Sequence, residues 1–339
     1  MTIKALLLGS AAALMAVTGA RAADAIVAAE PEPMEYVRVC DAFGTGYFYI
    51  PGTETCLKIG GYIRSEARFG RDESGTSDWS FWNRAQISFS AKSDTELGAL
   101  TSQITLRGEV ENSYDRNEFI DEAFIELAGF RVGYQYSWWD DDPSGETDSV
   151  ASNSTNHNSV RYDFGNETFG GGISVDELED DYDTKPGEGP NNIGVAAQLA
   201  GTAGIFSGFL LGGYDTDTEE AAIRAIVYAD LGNAGKLGVY GVWASGVNYY
   251  YEESEWTVGA QYELKLNDKW AITPGAQYFK NVGLNAGNTG FGNADAWVAG
   301  ATVDYKIVEN LSSKLSVQYR HEDEQDDQVY GFMRLERKF

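Results

Sequence analysis

Alternation with a period of two runs through almost the whole of this chain, and it leaves few folds open. Trp256, Val258, Ala260, Tyr262, Leu264 and Leu266 occupy one phase of a segment whose other phase is Thr257, Gly259, Gln261, Glu263 and Lys265. Trp297, Ala299, Ala301, Val303, Tyr305 and Ile307 repeat the pattern against Thr302, Asp304 and Lys306. The closing residues do so again in the main, with Val329, Gly331, Met333, Leu335, Arg337 and Phe339 against Tyr330, Phe332, Arg334, Glu336 and Lys338. Side chains two apart lie on one side of a strand, so each segment predicts a strand with a different solvent on each face. Partitioned this way, the chain yields sixteen strands, beginning near residues 57, 79, 98, 118, 130, 158, 168, 192, 205, 220, 236, 253, 269, 295, 311 and 328. The strands near 205 and 236 alternate poorly. Pro274 falls inside a strand, where its missing donor predicts a bulge.

What lies against the apolar phase is decided by spacing and charge. Trp270 and Tyr278 share a face eight residues apart, as do Trp297 and Tyr305. Tilted strands carry that interval through roughly 20 Å of depth, close to the apolar band of about 25 Å between aromatic girdles of a membrane barrel. A soluble sandwich has no reason to repeat it. Arg64, Arg68, Arg84, Arg107, Arg131 and Arg161 all fall on the polar phase, as do Arg224, Lys314, Arg320 and Arg334. Placing one such cation toward lipid at mid-depth costs about 2–4 kcal/mol, so this sorting is what a bilayer demands. The mean hydropathy of −0.34 is no objection, because only alternate residues face lipid. The fold class is therefore all-β, a transmembrane antiparallel barrel of sixteen strands. A polar inner wall with no apolar residues to fill it implies a water-filled bore.

The first 22 residues carry Lys4, an apolar run and the exit Ala20-Arg21-Ala22, the form of a secretory signal peptide. The expected organisation is a signal over 1–22, an N-terminal segment over 23–56 and a barrel over 57–339. In an exported chain the isolated pair Cys40 and Cys56 predicts a disulfide, worth roughly 3 kcal/mol in the chain-entropy model. An enzyme has little to work with: the two histidines, His157 and His321, form no H-x-x-x-H pair, and G-x-S-x-G and CxxC are absent. No catalytic residue, metal site or cofactor is predicted. The acidic runs 176–183 and 322–327 could hold divalent cations in outer loops, but without EF-hand spacing they read as hydrated surface. With a net charge of −27, no nucleic-acid partner is expected. The long connection 137–157 gathers Asp140, Asp141, Asp142, Glu146 and Asp148. An acidic mouth enriches cations, which predicts weak cation selectivity.

The segment Tyr36-Val-Arg-Val-Cys-Asp-Ala-Phe-Gly-Thr-Gly-Tyr-Phe-Tyr-Ile-Pro-Gly-Thr-Glu-Thr-Cys-Leu57 resembles the leading segment of the alpha-proteobacterial general porins. The likeness extends to Gly60-Gly-Tyr-Ile-Arg64, Thr95-Glu-Leu-Gly98, Leu127-Ala-Gly-Phe-Arg-Val-Gly133 and the final Arg-Leu-Glu-Arg-Lys-Phe339. It implies a homotrimer in the bacterial outer membrane, surrounded by lipid and lipopolysaccharide, passing small hydrophilic solutes and ions by diffusion. It also implies that Phe339 is the assembly signal and that the third outer connection folds inward. The five acids there would then face Arg64, Arg68, Arg84, Arg107, Arg131 and Arg161 across a constriction. The competing expectation is a plugged outer-membrane barrel acting as an enzyme or adhesin.

Overall fold

The computed structural model describes residues 37–111, 115–151, 155–166, 168–178, 189–285 and 290–339. The predicted signal over 1–22 lies outside the described residues, as does 179–183 of the first acidic run. From Val39 onward the chain is one compact unit.

A short strand, β1 (Phe48–Tyr49), precedes sixteen long ones. These are β2 (Cys56–Phe69), β3 (Trp79–Thr95), β4 (Gly98–Glu111), β5 (Asp115–Leu127), β6 (Phe130–Tyr136), β7 (Asn156–Gly165), β8 (Phe169–Glu177) and β9 (Ile193–Ala203). They continue as β10 (Phe206–Asp215), β11 (Glu220–Asp230), β12 (Lys236–Ala244), β13 (Ser254–Lys265), β14 (Trp270–Leu284), β15 (Phe291–Val308), β16 (Leu311–Glu322) and β17 (Gln328–Lys338). Each pairs antiparallel with its neighbours in sequence, and β17 pairs with β2 from Gly331↔Phe69 to Lys338↔Tyr62, which closes the barrel. Closure leaves no backbone edge toward lipid, where each unpaired group would cost several kcal/mol. The seam is completed by Phe339, whose N–H donates to Gly61 O at 3.0 Å.

Solvation is inverted relative to a soluble protein. Ile63, Val160, Leu210, Val227 and Met333 are exposed, while Glu66, Asp121, Arg161 and Arg224 are buried. The apolar phase faces lipid. Two rows of aromatics mark that face on β13–β16: Trp256, Tyr278, Trp297 and Tyr319 follow one another on adjacent strands, and Trp270 stacks on Tyr305 at 4.1 Å.

Three local features depart from simple alternation. Pro274 marks no bulge: Gln261↔Gly275 and Leu264↔Ile272 share one register, and only the rungs between them are missing. The lost donor opens the ladder without inserting a residue. A bulge does occur in β5, where Thr105 pairs with Glu122 and Leu106 with Ile120. Asp121 is the extra residue, turned into the barrel and buried. The third departure corrects the expectation of a wholly polar inner wall. In β10 both Phe206 and Leu210 point outward while Phe209 and Leu211 point inward, and in β12 Tyr240 and Val242 point inward. These strands alternate poorly because both of their faces are apolar, and protein covers the inner one.

The N-terminal segment is tied down by the Cys40–Cys56 disulfide. Tyr47 donates to or accepts from Ser90 Oγ at 3.0 Å, with the Lys58 and Lys92 ammonium groups over its ring.

Candidate functional site

The inner wall divides into three arcs. On β2–β7 and β17 it is charged. Glu336, Arg64, Arg84 and Glu109 stand opposite one another on four successive strands. Arg64 binds Glu336 at 2.6 Å and Arg84 binds Glu109 at 2.5 Å. Arg68 and Arg334 share Glu66, at 2.7 and 2.6 Å. Arg107 binds the bulged Asp121 at 2.5 Å, Arg131 binds Glu126 at 2.6 Å and Arg161 binds Asp163 at 2.9 Å. Trp82 is sandwiched between Arg68 and Arg84, whose guanidiniums lie 4.6 and 4.5 Å from its ring. All six arginines singled out in the sequence thus face inward, and each is matched by a carboxylate. Pairing and stacking fix them in place.

The second arc, on β13–β16, is polar, and the neutral side chains Thr257, Gln261, Thr273, Gln277, Thr302, Ser316 and Gln318 are buried on it. The segment between β6 and β7 covers it. Gly145 N donates to Gln261 Oε1 at 3.0 Å, Glu146 N to Thr302 Oγ1 at 3.1 Å and Ser149 N to Gln277 Oε1 at 2.8 Å. The Gln277 amide returns a bond to Ser149 O at 2.8 Å, and Lys314 binds the Glu146 carboxylate at 2.7 Å. In a closed barrel β6 and β7 lie far around the wall from β13–β16, so these bonds carry the segment through the interior.

The third arc, β8–β12, carries a buried apolar patch among a few buried polar groups. Leu211, Ala222, Ile226, Tyr240 and Val242 form one buried cluster with Trp138, Trp139 and Val150 of the same segment and Tyr249, Tyr250 and Tyr251 from the connection between β12 and β13. Tyr250 packs on Trp139 with ring centres 5.7 Å apart and donates its hydroxyl to Asp176 at 2.8 Å. Close approach requires glycine here: a Cβ on Gly213 would sit 2.5 Å from the Tyr250 ring, and one on Gly172 would sit 2.6 Å from Trp138.

The five acids of the segment end in different surroundings. Asp140, Asp141 and Asp142 are exposed within the bore, whereas Glu146 is engaged by Lys314. Asp140 accepts from Thr155 Oγ1 at 2.7 Å. Partial desolvation inside the bore raises the Asp141 carboxyl although it is exposed, and Arg224 opposes the shift. Asp142 still reaches water, yet enclosure and the neighbouring Glu146 and Asp140 push it up to about 6. Asp148 lies deepest. Desolvation, with Asp142 and Glu146 nearby, pushes it up to about 8.

The sequence profile of the Porin subfamily matches residues 24–335. Outer membrane protein IIIA of Rhizobium leguminosarum bv. viciae is 49% identical over 98% of this chain and 93% of its own length. Porin Omp2a of Brucella melitensis is 31% identical over the full length of both. The chain belongs to the Porin subfamily. The fold agrees with that of the outer membrane channel DcaP of Acinetobacter baumannii, at a TM-score of 0.65 and 11% identity over 86% of this chain and 99% of that one. This porin is an outer-membrane general diffusion channel.

Several residues that shape the bore of this porin are not evident in its sequence. Asp121 hides in the consecutive acids Asp121-Glu122, a pairing that signals a bulge only once the register is known. The Tyr249-Tyr250-Tyr251 run reads as loop, yet all three are buried. Arg224 sits on the polar phase of β11 like the wall arginines, but it is fully buried and touches no water. His157 is also buried, 3.5 Å from Asp176. Among the described residues no carboxylate, imidazole and thiol groups gather into a metal-holding set.

Proposed function

We propose that the segment between β6 and β7 is the constriction of this porin and that it gives diffusion a weak preference for cations. The observation that carries this is the set of bonds from Gly145, Glu146 and Ser149 to buried side chains of β13–β16. Ions and small hydrophilic solutes then pass between the segment and the charged arc. Each of the six wall arginines is matched by a carboxylate, whereas the three exposed acids Asp140, Asp141 and Asp142 lie near one buried cation, Arg224, so negative charge is in excess along the segment. Passive diffusion of this kind calls for no cofactor. The test is single-channel conductance with the reversal potential in a KCl gradient, on the parent and on a variant lacking residues 140–149. The shortened protein should conduct more and select less; unchanged conductance would remove the segment from the path.

The porin is further proposed to work as a homotrimer, exported by a signal over residues 1–22. One feature of β2–β3 supports a protein neighbour in place of lipid or lipopolysaccharide. Ser65 donates to Asn83 Oδ1 at 2.7 Å on that outward face, an amide poorly suited to hydrocarbon. Stepwise conductance in threes and cross-linking through cysteines at Ser65 would support the assembly, and a monomeric channel would exclude it.

A further inference from the structure

We infer that Arg224 is the pin that holds the constricting segment in place, and so sets the cross-section of the bore. The inference rests on the constriction proposed above. Arg224 lies at the inner face of β11 with no exposed surface. Its guanidinium donates to Trp138 O at 2.6 Å, to Trp139 O at 2.8 Å and to Val150 O at 3.1 Å. Those carbonyls belong to the two ends of the stretch that carries the five acids, so one planar group closes both ends against the wall. The side chain is held between rings, with its guanidinium carbon 5.1 Å from Trp139 and 5.3 Å from Phe209.

The surroundings make this arrangement informative. Leu211, Ala222 and Ile226, none of them with exposed surface, belong to the cluster around it, and a surface that needed only sealing would carry another aliphatic residue here. A buried cation is tolerated only where hydrogen bonds and opposite charge offset its lost hydration. The three carbonyls supply the bonds, and the nearby carboxylates of Asp141 and Asp142 supply the charge. A lysine has one ammonium centre and lacks the fork that reaches carbonyls from both ends. Arg224 does not meet the permeating solute. It is a positioning residue, acting through the segment it holds.

Four proteins in planar bilayers test this: the parent, the 140–149 deletion, Arg224→Met, and the deletion carrying Arg224→Met. Methionine keeps an apolar stem under the two rings and removes every donor, and heat-modifiable migration confirms the folded barrel. Arg224→Met should recover at least half of the deletion's gain in conductance and add open-channel noise, with flicker between sublevels. In the deletion background it should add nothing, because no tip remains to be held. If the deletion itself leaves conductance unchanged, the constriction reading falls and this inference with it. If the deletion raises conductance while Arg224→Met matches the parent, Arg224 is not the pin and the constriction stands. An equal rise in both backgrounds would place its effect on the barrel and overturn the inference. Should Arg224→Met fail to fold, Arg224→Lys decides: intermediate conductance with flicker supports the pin, and steady parent-like current overturns it.

Discussion

Replacing Asp140, Asp141 and Asp142 together by Asn should abolish most of the cation preference at low salt, and the size of the effect follows from the geometry. An ion passing about 8 Å from a carboxylate in water gains roughly 0.5 kcal/mol per charge before screening. At 0.1 M salt the Debye length is about 10 Å, which cuts this to about 0.2 kcal/mol, or roughly 0.7 kcal/mol for three charges. That favours a univalent cation by a factor of about 3 and disfavours an anion by the same factor, a permeability ratio on the order of 10. At 1 M salt, with a Debye length of about 3 Å, the same sum predicts a ratio of only about 1.4. The arginine arc adds no net field to this sum, because Arg64, Arg68, Arg84, Arg107, Arg131 and Arg161 each have a bonded carboxylate.

Reversal potentials in matched tenfold KCl gradients, at low and at high mean salt, measure both predictions on one protein. The triple Asn variant should lose the low-salt preference and look like the parent at high salt. The reasoning is refuted if the variant keeps the parent's low-salt ratio, or if the parent's ratio is unaffected by salt. Either result would put the permeating ion beyond reach of these three groups.

The remaining predictions address the same bore by other routes. Acidifying the bath from pH 8.5 to 5 should lower cation preference in two steps, near pH 8 as Asp148 becomes neutral and near pH 6 as Asp142 does. Asp142→Asn should remove the lower step, and persistence of that step would assign it elsewhere. Glu66→Gln leaves Arg68 and Arg334 without their shared carboxylate. It should cost about 2–3 kcal/mol, discounted because Arg68 keeps some hydration, and shift the reversal potential toward anions. Gly213→Val forces the Tyr250 ring aside, an overpacking of about 1–3 kcal/mol. It should lower the temperature at which the folded band disappears on gels, and an unchanged temperature would mean that Tyr250 can move freely.

The sequence discloses the lipid face far better than the lumen. Lipid imposes one rule on every outward position whatever its neighbours, so the strand starts are legible to within a few residues, even at 205 and 236. The inner face answers to partners that are remote in the chain. Glu336 and Arg64 are separated by 272 positions, and nothing local in either one announces the pair. Arg224 illustrates the limit. By phase it belongs with Arg84 and Arg107, and only its three carbonyl partners separate a pin from a wall residue. The bulge at Asp121 is of the same kind, since it depends on the register between β4 and β5.

The apolar patch on β8–β12 also answers a physical difficulty of any loop held inside a water-filled barrel. Backbone hydrogen bonds to a wetted wall are worth little, because water offers the same bonds. The bonds at Gly145, Glu146 and Ser149 escape that competition, since Gln261, Thr302 and Gln277 are buried. The segment creates that dryness by its own position, and it must first be placed there. Trp138, Trp139 and Val150 supply the placement by burial against Leu211, Ile226 and the three tyrosines, an attraction that water strengthens. Root and tip are therefore coupled. A change at Gly213 or Arg224, which touch none of the tip residues, should weaken the tip bonds by readmitting water to β13–β16, and tip mobility in such variants should rise before the root itself comes loose.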